Sequence, residues 1–327
     1  MKMVKNRKRD NVAVKIAVII LGALLIVYSL SIIFMLLWGL LSSLKSDNDF
    51  MKNLLGLPTI NNPEWFDRVN DPDSSYKTLF WLENYVLVIQ RFNFPASTSF
   101  FVGNREVTHT TENNFFGMLL NSAIYAFGNG FVQAIIPAIM AYMCAKYQYK
   151  FSKVLCITVI VVMTLPIVGA YPSELTLLRN LGLYDTWVGN FIQRCSFMGM
   201  YFLVFYEFFK GMPDTYSEAA EIDGASQFTV MFGIYIPLAA KIIGSVFLIR
   251  FIFFWNDFSS IELYMPTHPT LAYFIYALGA GKKISNDMTT NPRKIAACMI
   301  LALPTLILFL ILHNKVMGSM TLGGIKG

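Results

Sequence analysis

Charge is what this chain has least of. Lys, Arg, Asp and Glu make up 14% of its 327 residues, where a soluble domain carries about 25%. Together with a mean hydropathy of +0.52, the deficit excludes an ordinary soluble domain and selects a polytopic membrane protein. Cysteine is scarce too. Cys144, Cys156, Cys195 and Cys298 lie in or beside apolar runs with no metal-ligand spacing, so they read as small buried hydrophobes. His109, His268 and His313 are far apart, and HExxH, GxSxG and paired zinc motifs are absent. The stretch "LGAGKK" (278–283) resembles half a phosphate loop. A full one needs Gly where Tyr276 stands and Ser or Thr where Lys283 stands, so the chain has no nucleotide-hydrolysing machinery of its own. The net charge of +6 sits in short clusters beside apolar runs, with no basic stripe interleaved with aromatics, which excludes a nucleic-acid surface.

Long apolar runs are what the chain has instead. Six spans emerge: Val12–Leu41, Phe115–Ala145, Val154–Tyr171, Gly189–Phe209, Ile242–Leu263 and Ile295–His313. Pro137, Pro166 and Pro304 fall inside spans, where neighbouring helices accommodate them. The basic start MKMVKNRKRD leads into an apolar run longer than a signal peptide's, which suits an uncleaved anchor. With the N-terminus inside, thirteen Lys and Arg face inward and six lie in the two short outer loops, which places both termini inside. The third outer loop, with four of those six, runs against the trend. Residues 42–114 form the one sizeable polar region outside, aromatic enough (Trp65, Trp81, Tyr85) for a small folded cap. The expected layout is an anchor over 1–41, an extracytoplasmic segment over 42–114 and a membrane domain over 115–327.

Charges within the spans are few: Glu207, Arg250 and Asp257. Such groups normally face the bundle interior or a water-filled path. Arg250 and Asp257 are seven apart, on one face of a continuous helix. Two readings stand for "WNDF" (255–258): Asn256 and Asp257 line a solute route with Arg250, or Arg250 snorkels while Asp257 caps or packs near the outer interface.

One polar run breaks the apolar pattern on the inner side, "PDTYSEAAEIDGASQF" (213–228). Thr215 and Glu218 fit a capping box, with Gly224 following as a C′ residue able to take φ > 0. That predicts a helix over Tyr216–Asp223, then a second helix capped by Ser226 and ending before Pro237. A connector between spans needs only a few residues, whereas this segment runs about 30. Its small residues, Ala219, Ala220 and Ala225, suit close approach by a cytosolic partner.

The run "EAAEIDGASQFTVMFGIYIPL" (218–238) closely resembles the EAA loop of permease subunits of binding-protein-dependent ABC importers. Further resemblances point to the carbohydrate branch, of the maltose-permease second-subunit type: "ENY" (83–85), "NS" (121–122), "LGLYDT" (181–186), "WNDF", the stretch from "AAC" to "LP" around the last span, and the terminal "MTLGGIKG". The resemblance covers most of residues 80–327. It implies an all-α integral membrane protein with the six-helix type I importer fold and a coupling loop over 211–240. Glu218, Ala219, Ala220, Asp223 and Gly224 would seat in a cleft of an ATPase subunit. Gly323, Gly324 and Lys326 would form a tail reaching towards the ATPases.

The implied partners are a second permease, two ATPase subunits holding ATP and Mg, and an extracytoplasmic sugar-binding protein. The chain itself would hold no cofactor and hydrolyse nothing. The implied cargo is a di- or oligosaccharide, across the bacterial inner (cytoplasmic) membrane. A single basic residue within the spans, Arg250, leans towards a neutral cargo rather than a glycerol phosphate or a polyamine. A membrane enzyme or an ion-coupled transporter would need intramembrane acid–base or metal constellations, and only isolated charges are present. The chain departs from the family pattern in two places. "AAK" (239–241) replaces the second proline usual after Pro237, and segment 42–114 is long.

Overall fold

The computed structural model of the chain describes residues 2–58, 82–90, 93–102, 105–147, 150–165, 169–280 and 290–320. Pro166, Trp65, Trp81 and the tail residues Gly323, Gly324 and Lys326 lie outside them. The described residues fall into two compact units, one within 1–91 and 286–300, the other within 92–285 and 301–327.

The first unit is built on α1 (Lys2–Ser43), with α2 (Asp47–Lys52) and α3 (Glu83–Gln90). Nearly every apolar side chain of α1 from Val14 to Leu40 is exposed, and the most apolar 18-residue stretch of Val14–Ser43 has a mean hydropathy of 2.8. A helix apolar on all sides needs lipid or another helix as its surroundings. Its C-terminal end is polar and tied down. Asn84 Nδ2 donates to the carbonyls of Ser43 (2.8 Å) and Lys45 (2.7 Å), groups a helix end leaves without an intrahelical donor. Tyr85 bonds the Ser43 hydroxyl at 2.6 Å, and Trp38 Nε1 donates to Leu54 O at 2.9 Å. The "ENY" stretch therefore closes the end of the first span.

The second unit opens with an antiparallel hairpin, β1 (Asn93–Val102) and β2 (Arg105–Asn114), in register from Asn93 opposite Asn114 to Val102 opposite Arg105. Among the described residues the chain is otherwise helical, as expected, and the polar segment adds this two-stranded ribbon, whose Thr, Val and Phe residues favour an extended backbone. Thr111 Oγ1 donates to Thr267 O at 3.1 Å, and Phe94 packs edge-on against Tyr273 and Phe274. Asn114 then caps α4 (Phe115–Lys146), accepting the Gly117 N–H at 2.8 Å.

The second unit is organised around α4. Ala126, Gly130, Ala134, Ala138 and Ala141 recur every three or four residues and are all buried, a face of small side chains that lets other helices come close. At Gly130 a Cβ would stand 3.3 Å from the backbone nitrogen of Phe251. Against α4 pack α8 (Met200–Lys210) and α11 (Ala240–Trp255). Tyr142, Phe202, Phe205, Phe209 and Tyr235 are buried in one cluster.

Among the described residues three helices are long and apolar enough to cross a membrane: Val14–Ser43, Phe115–Lys146 and Asn291–Ile311. The last is the start of α14 (Asn291–Met320), which contains Pro304. A fourth is possible if α10 (Gln227–Leu238) and α11 count as one span bent by 69°. The other expected spans are divided. Val154–Tyr171 becomes α5 (Lys150–Thr164) and the start of α6 (Ala170–Asn180). Gly189–Phe209 becomes α7 (Trp187–Arg194) and α8, parted at Cys195–Gly199. Ile242–Leu263 becomes α11 and α12 (Ser259–Tyr264), parted by Asn256, Asp257 and Phe258, and α13 (Leu271–Gly279) follows. Hydropathy sums over a run and does not register these breaks.

Candidate functional site

The polar run folds into two helices joined by a tight turn. The first, α9, spans Thr215–Ile222 and buries no residue. The expected capping box is not formed. Asp214 is the N-cap, in αR conformation and without a side-chain cap, and its C=O accepts from the N–H groups of Ser217 and Glu218, each at 3.0 Å. The reason is a competing partner: the Asp214 carboxylate is turned to Lys146 Nζ at 2.7 Å. Thr215 is thereby drawn into the helix, and Glu218 does not reach back. Among the described residues the Glu218 carboxylate makes no hydrogen bond or ion pair.

The helix ends as its sequence requires. Gly224 has φ +77°, its N–H donates to Glu221 O, and Ala225 N–H donates to Ala220 O at 2.9 Å. That is a Schellman motif, and only glycine takes its left-handed position without strain. Ser226 caps α10 by accepting the Thr229 N–H at 3.2 Å. Contrary to expectation, α10 runs through Pro237. A π turn at Met231–Tyr235, with Ile236 N–H bonded to Met231 O, widens the helix ahead of a residue that has no N–H to give. The 69° bend then falls at Ala239, where "AAK" stands.

The hairpin is fixed to the membrane core by one residue that the sequence groups with ordinary loop charges. Lys146, the last residue of α4, donates to Met212 O and to Asp214 Oδ1, both at 2.7 Å, and lies 5.0 Å from the ring centroid of Tyr235. Tyr235 in turn donates towards Pro213 O at 3.3 Å. Ala220 and Ala225 pack inward on the buried cluster. Glu218, Ala219, Asp223 and Gly224 remain exposed, beside Ile222 (86% exposed) and Phe228 (72%). A solvent-facing patch with two uncovered apolar side chains and unpaired acid suits a protein partner.

The three route candidates do not come together. Asn256 is exposed and donates to Ile252 O of its own helix. Asp257 lies beyond the end of α11, so its seven-residue spacing from Arg250 does not put the two on one helical face. Its side chain, 5% exposed, accepts from Tyr125 Oη (2.9 Å) and the Ser260 N–H (3.1 Å), with Arg194 Nη2 at 4.0 Å. These contacts of Asp257 are of the capping and packing kind. Tyr125 and Arg194 complete its network and do not stand out in the sequence, since each looks ordinary in its own run.

Arg250 does face open space. A cavity of ≈ 240 Å³ is lined by Gln133 and Pro137 of α4, the Ser196–Gly199 break, Tyr201 and Arg250. Arg250 donates to Gln133 Oε1, while its buried Nε has no hydrogen-bond partner among the described residues. A lone amide in an apolar run is the sequence signal for Gln133.

Residues 133–318, more than half of the chain, match the family described as binding-protein-dependent transport system inner membrane component. The chain is 23% identical, over 92% of its length and 86% of the relative's, to the diacetylchitobiose uptake system permease protein NgcG of Streptomyces coelicolor. It is 24% identical, over 72% of its length and 83% of the relative's, to the melibiose/raffinose/stachyose import permease protein MelC of Bacillus subtilis. A crystal structure of a bacterial ABC transporter involved in the import of the acidic polysaccharide alginate contains a chain that aligns over 92% of this one and 96% of its own. The TM-score is 0.62 and the identity 18%, which is a likeness of fold.

Proposed function

The chain belongs to the family of binding-protein-dependent transport system inner membrane components, and from that premise we propose that it is a permease subunit of an ATP-driven importer of di- or oligosaccharides. It is a transport component rather than an enzyme, and it works in a complex with other subunits and a binding protein. The observation that carries the coupling role is the exposed α9 with its unpaired Glu218, held to the end of α4 by Lys146.

In this reading two ATPase subunits bind ATP and Mg and close on each other. Glu218, Ala219, Ala220, Asp223 and Gly224 seat α9 in a cleft of one of them. Because Lys146 joins the hairpin to the helix at the centre of the unit, movement of α9 is passed to α4 and from there to the helices packed on it. Gly323, Gly324 and Lys326 would reach the ATPase dimer, a second permease completes the pathway, and both termini face the cytoplasm. The carbohydrate assignment is supported by NgcG and MelC, whose names state sugar cargo.

The test is ATP-dependent uptake in proteoliposomes holding the complex encoded with this chain, with the accompanying binding protein and a panel of labelled sugars. Glu218→Lys is expected to abolish uptake while the chain still inserts and assembles. Normal uptake by that variant would sink the coupling role, and failure of every sugar to enter with the unaltered complex would sink the carbohydrate assignment.

A further inference from the structure

Resting on that importer reading, and against the neutral cargo that a single basic residue within the spans suggests, we infer that the cavity beside Arg250 is a subsite for one acidic sugar unit, with Arg250 holding its carboxylate. Gln133 stands near the middle of the 32-residue α4, so the cavity lies near mid-membrane, where a cation is costly unless it has a partner. The direct partners of Arg250 among the described residues are all neutral, and its guanidinium carbon lies 5.8, 4.7 and 5.0 Å from the ring centroids of Tyr201, Phe253 and Phe254. Its Nη2 is used on the neutral Gln133 amide, and its buried Nε has no acceptor among the described residues.

The charge around it is not balanced either. Arg194 shares the ring of Phe254 with Arg250, the two guanidinium carbons at 5.5 and 5.0 Å from the centroid. Asp257 is already engaged by Tyr125, the Ser260 N–H and Arg194. Arg194 thus has a carboxylate at 4.0 Å, while Arg250 has none that close among the described residues, and its positive charge is left at the cavity wall. A guanidinium fork fits a carboxylate better than a lone hydroxyl. Tyr201 and Phe202 add aromatic walls and Ser196 a hydroxyl, which suits a ring with polar substituents. The ≈ 240 Å³ volume is below the roughly 300–1,000 Å³ of sites that enclose a whole drug-sized ligand, so the cavity grips one unit of a longer chain.

The importer complex in nanodiscs, without binding protein, would be titrated calorimetrically with D-galacturonate, D-galactose and acetate. Galacturonate is expected to bind at least tenfold more tightly than either of the others, a difference of about 1.4 kcal/mol. Gln133→Glu keeps Arg250 in place and supplies an internal carboxylate, so it should weaken galacturonate binding at least tenfold. Arg250→Gln should do the same. Galactose or acetate binding as tightly as galacturonate, no binding to the unaltered complex, or unchanged binding by Gln133→Glu would each overturn the assignment. Sugar uptake by the unaltered complex is a separate measurement, so failure here is distinguishable from failure of the importer reading.

Discussion

Replacing Lys146 with methionine isolates the contact that joins the hairpin to the membrane core. Methionine keeps much of the side chain's length and apolar bulk, so packing at this site, 9% exposed, is largely preserved. Three interactions are lost together. The hydrogen bond from a charged donor to the Met212 carbonyl is worth about 1.5–3 kcal/mol. The contact with the Tyr235 ring adds about 0.5–1 kcal/mol. The ion pair adds about 0–1 kcal/mol, since its other half, Asp214, is 68% exposed. The total, about 2–5 kcal/mol, would shift the balance between docked and detached hairpin by about 30- to 5,000-fold. Asp214→Ala removes only the weakest of the three and should cost about 1 kcal/mol or less. The assay is sugar molecules moved per ATP hydrolysed by the reconstituted complex. Lys146→Met should lower that ratio at least tenfold, and Asp214→Ala by less than threefold. If both variants fall equally, or if Lys146→Met transports with the normal ratio, the reasoning that Lys146 transmits movement through Met212 is wrong.

Gly224→Ala meets open space but must adopt φ +77°, at a cost of about 1–2 kcal/mol. Faster amide hydrogen exchange over 219–226 is expected, with Gly224→Asn closer to the original; unchanged exchange would refute the need for glycine there. Asp257→Ala leaves the Tyr125 hydroxyl without its buried acceptor and Arg194 without the carboxylate 4.0 Å away, which should cost about 3–5 kcal/mol and sharply reduce the yield of assembled complex. Asp257→Asn keeps an acceptor oxygen and should lose less. Wild-type yield of Asp257→Ala with altered uptake kinetics would instead place this carboxylate on the solute route.

The features legible in the sequence are local ones. Gly224 and Ser226 can be read directly because a Schellman turn and an N-cap are satisfied by residues three to five apart. The same reasoning misplaces the start of α9, because Thr215 and Glu218 look like a capping box whether or not a lysine 68 residues away claims the neighbouring Asp214. The spacing of Arg250 and Asp257 implies a shared face only if the helix continues, and it stops at Trp255. The hairpin strands are hidden because a polar segment with turn signals suits several folds equally.

Sequence by itself determined the solvent and the interface. Sparse charge and long apolar runs require lipid, because no aqueous fold could cover them, and the EAA run, by its resemblance, is where the proposed partner would meet the chain. Tertiary structure alone decided which polar groups act together. Lys146 reaches Met212 and Asp214, Arg194 and Tyr125 surround Asp257, and Gln133 meets Arg250, each pairing separated by tens of residues or more. The physical reason is that burial makes an unmatched polar group expensive, and which partner meets that need depends on how the helices pack, which composition and periodicity do not encode.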